Sequence, residues 1–140
     1  MPKRAVVALT ALFVAGCGGE KEAARAPAPA ATPTGPVLTV TAPPSGSGRF
    51  HYDRRRLEAP AGPVTIAIVN RDRWGHNIRI QTGRKCCFDD GHVDLGGTDT
   101  AQPGQTLKAT VKLEPGRYFF VCAFPSHWGD GMWGRLTVRG

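Results

Sequence analysis

The chain has 140 residues, a length that favours a single domain, and a net charge of +7. Its 18 glycines and 12 prolines are typical of a loop-rich β protein rather than a helical one. No apolar run reaches the roughly 20 residues that a membrane-spanning helix needs, so the sequence excludes such a helix.

The N-terminus has the features of an export signal. Two basic residues precede an apolar run, Ala5–Ala15, which is too short for a membrane helix. The run leads into Val14-Ala15-Gly16-Cys17, which resembles the lipobox of bacterial lipoproteins. This resemblance implies that residues 1–16 are a lipoprotein signal peptide, cleaved before a diacylglycerol-modified Cys17. The alternative is an ordinary signal peptide with a cysteine nearby by chance.

The segment after the signal is predicted to be a flexible tether. Residues 18–36 are dominated by alanine, proline and threonine and lack a hydrophobic period, so they cannot bury enough apolar surface to fold. As a coil this segment spans about 25 Å. We therefore expect a lipidated Cys17 with its tether over 17–36, and one folded domain over 37–140. The protein is then extracytoplasmic and membrane-anchored, in the periplasm or on the outer face of the cell membrane.

Alternating apolar and polar residues predict strands throughout the folded part. Turn signals separate the runs, and no stretch shows a helical period. The predicted strands are Val37–Ala42, Gly48–Asp53, Pro63–Asn70, His76–Gln81, Gln105–Leu113, Gly116–Phe124 and Gly134–Arg139. About seven short strands at this spacing predict an all-β antiparallel sandwich or barrel. Tyr118, which follows a Pro-Gly turn, is either a tyrosine corner of a Greek-key sandwich or a plain core aromatic.

One loop near the C-terminus combines three ligand types. In an oxidising compartment cysteines usually pair, and a lipidated Cys17 leaves an odd number of them. Cys122 is the candidate for other chemistry, because His127 and Met132 follow it at intervals of five residues. Two imidazoles and a thiolate, with a weak axial thioether, define the electron-transfer copper site. His76 is the candidate second histidine. The alternative is that these residues have no shared function. Cys122 would then be a buried structural thiol, His127 a hydrogen-bonded histidine and Met132 a core residue, each of which is common alone.

The segments Gly75-His76-Asn77 and Cys122-x₄-His127-x₄-Met132 resemble the cupredoxins, the small blue copper proteins that include azurin, plastocyanin and halocyanin. The resemblance implies a Greek-key β-sandwich of about seven to eight strands with one mononuclear type 1 copper. It implies His76, Cys122 and His127 as equatorial ligands, Met132 as axial ligand, and the Gly75 carbonyl as a further weak contact. Azurin has one residue fewer between histidine and methionine, and plastocyanin has a shorter gap between cysteine and histidine.

The same resemblance implies roles for neighbouring residues. Asn77 would tie the two ligand loops together, and the backbone N–H of Phe124 would donate to the Cys122 sulfur. The edge of His127 would reach the surface inside an apolar docking patch. The residues of this patch are Phe124, Pro125, Trp128 and Trp133. Alternatively, the tryptophans are core or wall residues that keep water from the metal.

The predicted function is the transfer of single electrons between extracytoplasmic redox partners, such as a c-type cytochrome or a terminal oxidase or reductase. We expect a monomer, no enzymatic activity and no nucleic-acid binding. The alternative is a copper carrier (chaperone) or a metal sensor of the same fold. Basic residues form clusters at 54–56, 71–73 and 84–85. These clusters have three possible roles: attraction of an acidic redox partner, attraction to anionic lipid near the tether, or no role beyond forming a solvated surface.

The segment KCCFDDGHVD, residues 85–94, is left with three interpretations. Its two cysteines, three aspartates and one histidine are residue types that bind a second metal, although their spacing matches no known site. Its adjacent cysteines, Cys86 and Cys87, would otherwise form a vicinal disulfide or remain thiols.

Overall fold

A computed structural model describes residues 35–46, 48–88 and 91–140. The predicted signal peptide, Cys17 and most of the tether lie outside these residues. No helix in the described part of the chain is long and apolar enough to cross a membrane. The elements, in chain order, are β1 (Val37–Ala42), β2 (Arg56–Pro60), β3 (Gly62–Asn70), β4 (Arg79–Gln81), β5 (Asp94–Gly97), β6 (Thr106–Leu113), β7 (Gly116–Val121), α1 (Pro125–Asp130) and β8 (Trp133–Arg139).

The strands form two sheets, and the predicted all-β sandwich is confirmed. One sheet has the order β1-β3-β6 and the other the order β2-β8-β7-β4-β5. The expectation of purely antiparallel pairing is wrong for two pairs, because β1 runs parallel to β3 and β2 runs parallel to β8. Tight hairpins impose antiparallel pairing only on strands that follow each other directly, and long connections separate these two pairs.

The hydrophobic core lies between the sheets and reaches the C-terminal ligand loop. Val64, Ile66 and Ile68 of β3 are fully buried, as are Phe120 of β7 and Cys122 just beyond it. Burying each such aliphatic or aromatic side chain contributes roughly 1.5–3 kcal/mol. The same core therefore stabilises the fold and fixes the end of β7 that carries the thiol.

Several predicted element bounds are wrong. Gly48–Asp53 is a loop, from which Phe50 and Tyr52 turn inward. The strands β2 and β5 were missed, because β2 has only Leu57 and Ala59 on its buried face and half of β5 is glycine. The helix α1 was missed because six residues are too few to show a helical period. The predicted strand 76–81 pairs within a sheet only from Arg79, while His76 forms an isolated bridge with Ala101.

Tyr118 is a tyrosine corner, which decides between the two interpretations of this residue. Its hydroxyl donates a hydrogen bond to the carbonyl of Glu114 at 2.8 Å. The bond closes the turn between β6 and β7, and this fixes the start of the strand that leads to Cys122.

Candidate metal centre

Three side chains from separate parts of the chain converge in the core. His76 comes from the loop between β3 and β4, Cys122 directly follows β7, and His127 lies in α1. The two Nδ1 atoms are 3.1 Å apart. Cys122 Sγ lies 3.5 Å from Nδ1 of His127 and 4.0 Å from Nδ1 of His76. All three side chains are buried.

These distances suit one metal ion. Metal–imidazole bonds of about 2.0 Å and metal–thiolate bonds of about 2.3 Å allow two donors of the same ion to lie up to about 4.3 Å apart. Each of the three measured separations falls below that limit. In the described residues this is the single cluster of histidine, cysteine and acidic side chains with such geometry.

Hydrogen bonds within the C-terminal loop place Met132 beside the same cluster. The N–H of Cys122 donates to the carbonyl of Met132 at 3.0 Å, and the N–H of Met132 donates to the carbonyl of His127 at 2.9 Å. Pro125 opens the helix α1 and Gly131, at φ 106°, ends it in the left-handed region that favours glycine. The loop therefore returns on itself, and Met132 is fully buried in the core cluster that contains Cys122.

The match to a family model decides what this centre is. Copper binding proteins of the plastocyanin/azurin family match residues 40–139. The chain belongs to this family. Its cofactor is therefore copper, and His76, Cys122 and His127 with Met132 form a typical blue copper site. Cupredoxins are typically extracytoplasmic electron carriers.

Solved cupredoxin structures share the fold. Auracyanin from Roseiflexus castenholzii is 22% identical with a TM-score of 0.63, and the match covers 78% of this chain and 100% of that one. Auracyanin A from Chloroflexus aurantiacus, a "blue" copper protein, is 20% identical with a TM-score of 0.62, covering 75% and 100%. Rusticyanin from Thiobacillus ferrooxidans is 21% identical with a TM-score of 0.57, covering 74% and 77%. No curated protein matches the sequence.

A buried carboxylate orients His76, and the sequence reasoning missed it. His76 Nε2 lies 3.0 Å from Asp72 Oδ2, and both side chains are almost fully buried. The other oxygen of Asp72 accepts hydrogen bonds from Ser45 and from the N–H of Arg73. Because the carboxylate can only accept, Nε2 carries the proton and the Nδ1 lone pair of His76 faces the other ligands. The signal in the sequence was an acid four residues before the candidate histidine.

Asn70 fixes the loop that carries this pair. Its side-chain amide donates to the carbonyls of Trp74 and Ala101 at 2.7 and 2.8 Å. Its oxygen accepts the N–H of Asp72 at 2.9 Å. One fully buried side chain thus makes three hydrogen bonds. These bonds connect the end of β3 to the loop that carries His76 and fix its conformation.

Asn77 links the two ligand loops through its side chain. Its Oδ1 accepts the N–H of Ala123 at 2.8 Å, and its carbonyl accepts the hydroxyl of the buried Tyr52. The backbone N–H groups of Asn77 and Phe124 donate to the Cys122 sulfur. Burial raises the pKa of the Cys122 thiol, and these two N–H groups act in the opposite direction. Metal binding therefore has to displace the thiol proton, which a coordinated cation does.

Both histidines are held ready to coordinate. Burial lowers the pKa of His76, against the opposing effect of Asp72. Burial, and then the neighbouring His76, lowers the pKa of His127. Burial alone would raise the pKa of Asp72, but its hydrogen bonds from His76, Ser45 and Arg73 outweigh this and lower it. At neutral pH the imidazoles are thus neutral, as metal ligands must be, and Asp72 is ionised.

Phe50 packs over His127 and is a second residue that sequence reasoning missed. The ring centroids are 3.9 Å apart with an interplanar angle of 32°, and Phe50 also meets His76 edge-on at 5.6 Å. Phe50 lies in the segment 48–53, which was wrongly predicted to be a strand and in which no role of Phe50 was predicted. Its ring packs against both imidazoles, which are themselves buried.

The predicted docking-patch residues occupy two faces. Phe124 and Pro125 are exposed beside His127, and Trp128 is half-buried against Phe88. Trp133 instead packs against Phe119 and under the guanidinium of Arg55. Gly75 packs closely on Thr100, since an added Cβ would lie 2.8 Å from its methyl group. The weak contact of the Gly75 carbonyl with the metal stays a prediction.

The 85–94 segment contains a vicinal disulfide. Cys86 and Cys87 are bonded to each other, and Cys122 is the free thiol among the described cysteines. Of the three interpretations, the disulfide is the one observed. Asp89 and Asp90 lie outside the described residues. The disulfide removes the two thiolates that a soft-metal site in this loop would need.

Proposed function

We propose that this cupredoxin is a type 1 copper protein that shuttles single electrons between extracytoplasmic redox partners. His76, Cys122 and His127 serve as equatorial ligands and Met132 as the axial one. The observation that carries the proposal is the convergence of two Nδ1 atoms and one Sγ within 4.0 Å of one another. Thiolate and thioether suit Cu(I), and imidazoles also suit Cu(II), so bound copper supplies a one-electron couple.

The protein's own contribution is to hold these donors in one arrangement. Asp72 and Asn70 hold the His76 loop, and the Asn77 side chain connects it to Ala123 beside Cys122. The buried donors and the covering ring of Phe50 limit the water that would otherwise reorganise when charge changes. A site that moves little between two oxidation states lowers the barrier to electron transfer.

The route for the electron runs through His127. Its side chain is 9% exposed and lies beside the exposed Phe124 and Pro125. An apolar rim around a ligand edge suits transient docking with a protein partner. A c-type cytochrome or a terminal oxidase or reductase is the partner class that family analogy favours. The protein acts as a monomer and without substrate chemistry of its own.

Anchoring follows from the N-terminal sequence. Lipid attached to Cys17 holds the protein at the membrane, the tether 17–36 gives it reach, and the domain 37–140 carries the electron. Two acyl chains or more on one cysteine give stable anchoring, since each buried CH₂ contributes about 0.8 kcal/mol. Mass spectrometry of the membrane fraction tests this, because Cys17→Ser should abolish the lipid adduct and release the protein.

Visible and EPR spectra of the copper-loaded protein test the electron-transfer proposal. We expect intense thiolate-to-Cu(II) charge transfer that Cys122→Ser abolishes. A colourless protein that binds zinc as readily as copper would overturn the proposal. The carrier alternative predicts rapid loss of copper to a chelator, whereas an electron shuttle retains it. The disulfide removes the sequence feature that favoured the carrier, namely two free thiols at Cys86 and Cys87.

A further inference from the structure

An arginine-lined groove of about 460 Å³ crosses the outward face of the five-stranded sheet. Arg56 of β2, Arg135 of β8 and Arg117 of β7 line it, and Arg84 lines it from the segment after β4. Phe119 of β7 contributes an aromatic wall. The guanidinium groups are positively charged at every physiological pH.

Strand register places two of these charges side by side. Arg56 is the register partner of Arg135 on the neighbouring strand, and Arg135 is in turn the partner of Phe119. Neighbouring strands are only about 4.8 Å apart, and like charges at facing positions destabilise a sheet. The facing pair Arg56–Arg135 therefore concentrates positive charge at this place, against the usual preference of a sheet.

No described acid within the chain compensates these arginines. The side chains of Arg56, Arg84, Arg117 and Arg135 form no hydrogen bond or ion pair with a described residue. The one acidic lining residue, Glu58, is bound by Arg139 at 2.8 Å. All four arginines are exposed, so their guanidinium groups can bind an anion from outside the described chain.

One end of the groove leads towards the copper ligands. Phe119 meets the ring of Trp133 edge-on at a centroid distance of 5.9 Å, and Trp133 directly follows Met132 in sequence. An anionic group bound beside Phe119 is therefore separated from the ligand loop by two aromatic rings. This end lies on the sheet face, apart from the apolar rim of Phe124 and Pro125.

We propose that the groove docks an acidic segment of a protein partner, as a second docking surface beside the His127 rim. The proposal rests on the electron-transfer function proposed above. Guanidinium forks bind carboxylates in a bidentate manner, and a concave site with an aromatic wall suits a side-chain-bearing peptide segment. The groove is concave, so a protruding acidic segment fits it better than the flat surface of an anionic membrane.

Binding of two anionic probes tests the proposal. The protein is the full chain with Cys17→Ser, which carries no lipid, reduced with ascorbate. The probes are hexacyanochromate(III), a paramagnetic trianion that broadens nearby amide signals, and a decapeptide of glutamate. We expect broadening centred on Arg117, Phe119 and Arg135, and peptide binding that weakens with added salt. The double variant Arg117→Glu/Arg135→Glu should weaken peptide binding by about tenfold or more.

The matched control changes charge by the same amount on the other sheet. Lys108→Glu/Lys112→Glu alters two exposed residues of β6 and should weaken binding less than about threefold. Equal weakening in both variants would show attraction by net charge only and overturn the proposal. So would groove-dependent binding to phosphatidylglycerol vesicles without peptide binding, which would assign the groove to lipid. The visible spectrum of Arg117→Glu/Arg135→Glu distinguishes the two proposals. If this variant keeps the blue colour, the copper site is intact, and a negative binding result then counts against the groove proposal and not against the electron-transfer proposal.

Discussion

The two ligand histidines are held in different ways. His76 is 1% exposed, and its Nε2 binds the buried carboxylate of Asp72. His127 is 9% exposed and lies in a six-residue helix, and no described residue forms a hydrogen bond with its Nε2. Packing against Phe50 and Phe124 holds its ring instead.

The His76 side and the His127 side of the metal centre therefore have different roles. On the His76 side, a fixed negative charge and a closed hydrogen-bond network set the electrostatic environment of the site. On the His127 side, apolar contacts hold the ring and leave a small part of the residue exposed. The two sides therefore predict unequal responses to the same substitution.

The largest expected effect is loss of the site in His76→Gly and in His127→Gly, with rescue in only one of them. Both variants should lose the intense charge-transfer band. Added imidazole should restore it in His127→Gly, because the space opens at the surface. It should fail in His76→Gly, because His76 is 1% exposed and the space that it leaves is enclosed. Absorbance titrations with imidazole measure this, and equal rescue of both variants would contradict the comparison.

The next effect concerns the charge on Asp72. Asp72→Asn keeps an oxygen that accepts the Nε2 proton but removes the charge, which at a moderate effective dielectric constant should raise the reduction potential by on the order of 100 mV. The matched substitution is Asp130→Asn, because Asp130 is an exposed acid that acts on His127. Its shift should be less than a third as large, since solvent screens it. Voltammetry of both variants measures their reduction potentials. Equal shifts, or a larger shift in Asp130→Asn, would contradict the role assigned to Asp72.

The sequence predicts those residues of the centre that form a local motif, but not those that come together only in the folded chain. Cys122, His127 and Met132 were predictable because ligand type and spacing are local, and His76 followed from the order of the motif. Asp72 was not, because it sits in the charged run Arg71–Arg73 and its burial depends on contacts with a distant loop at Ser45.

The strands were also predictable only where the sequence pattern is local. Alternation predicted β3, β6 and β8, in which apolar residues recur at every second position. It did not predict β2, because only Leu57 and Ala59 mark the buried face of this strand, and its pairing with β8 joins two segments far apart in the chain. The arginine groove results from that pairing, so the clusters at 54–56 and 84–85 could be seen in the sequence but not their common location.

A smaller effect concerns pH and the metal-free protein. The pKa values of His76 and His127 are lowered in the folded state, so the unfolded chain binds more protons below its histidine pKa of about 6.5. Stability is thus fully present above that pH and lost as pH falls towards the lowered values. We expect the free energy of unfolding to drop by roughly 1 kcal/mol between pH 7.5 and 5.5. Urea titrations measure it, and His127→Gln should flatten the dependence.

The smallest effect concerns the ring that covers His127. Phe50→Leu removes a stacked contact at 3.9 Å and should cost about 0.5–1.5 kcal/mol of unfolding free energy, the usual range for such aromatic pairs. Phe124→Leu is the control, because Phe124 also neighbours His127 but is 37% exposed, and it should cost less than about 0.5 kcal/mol. If Phe124→Leu is the more damaging change, then His127 is held from the outer rim and not from the Phe50 side. The proposed route of the electron through the outer edge of His127 would then be wrong.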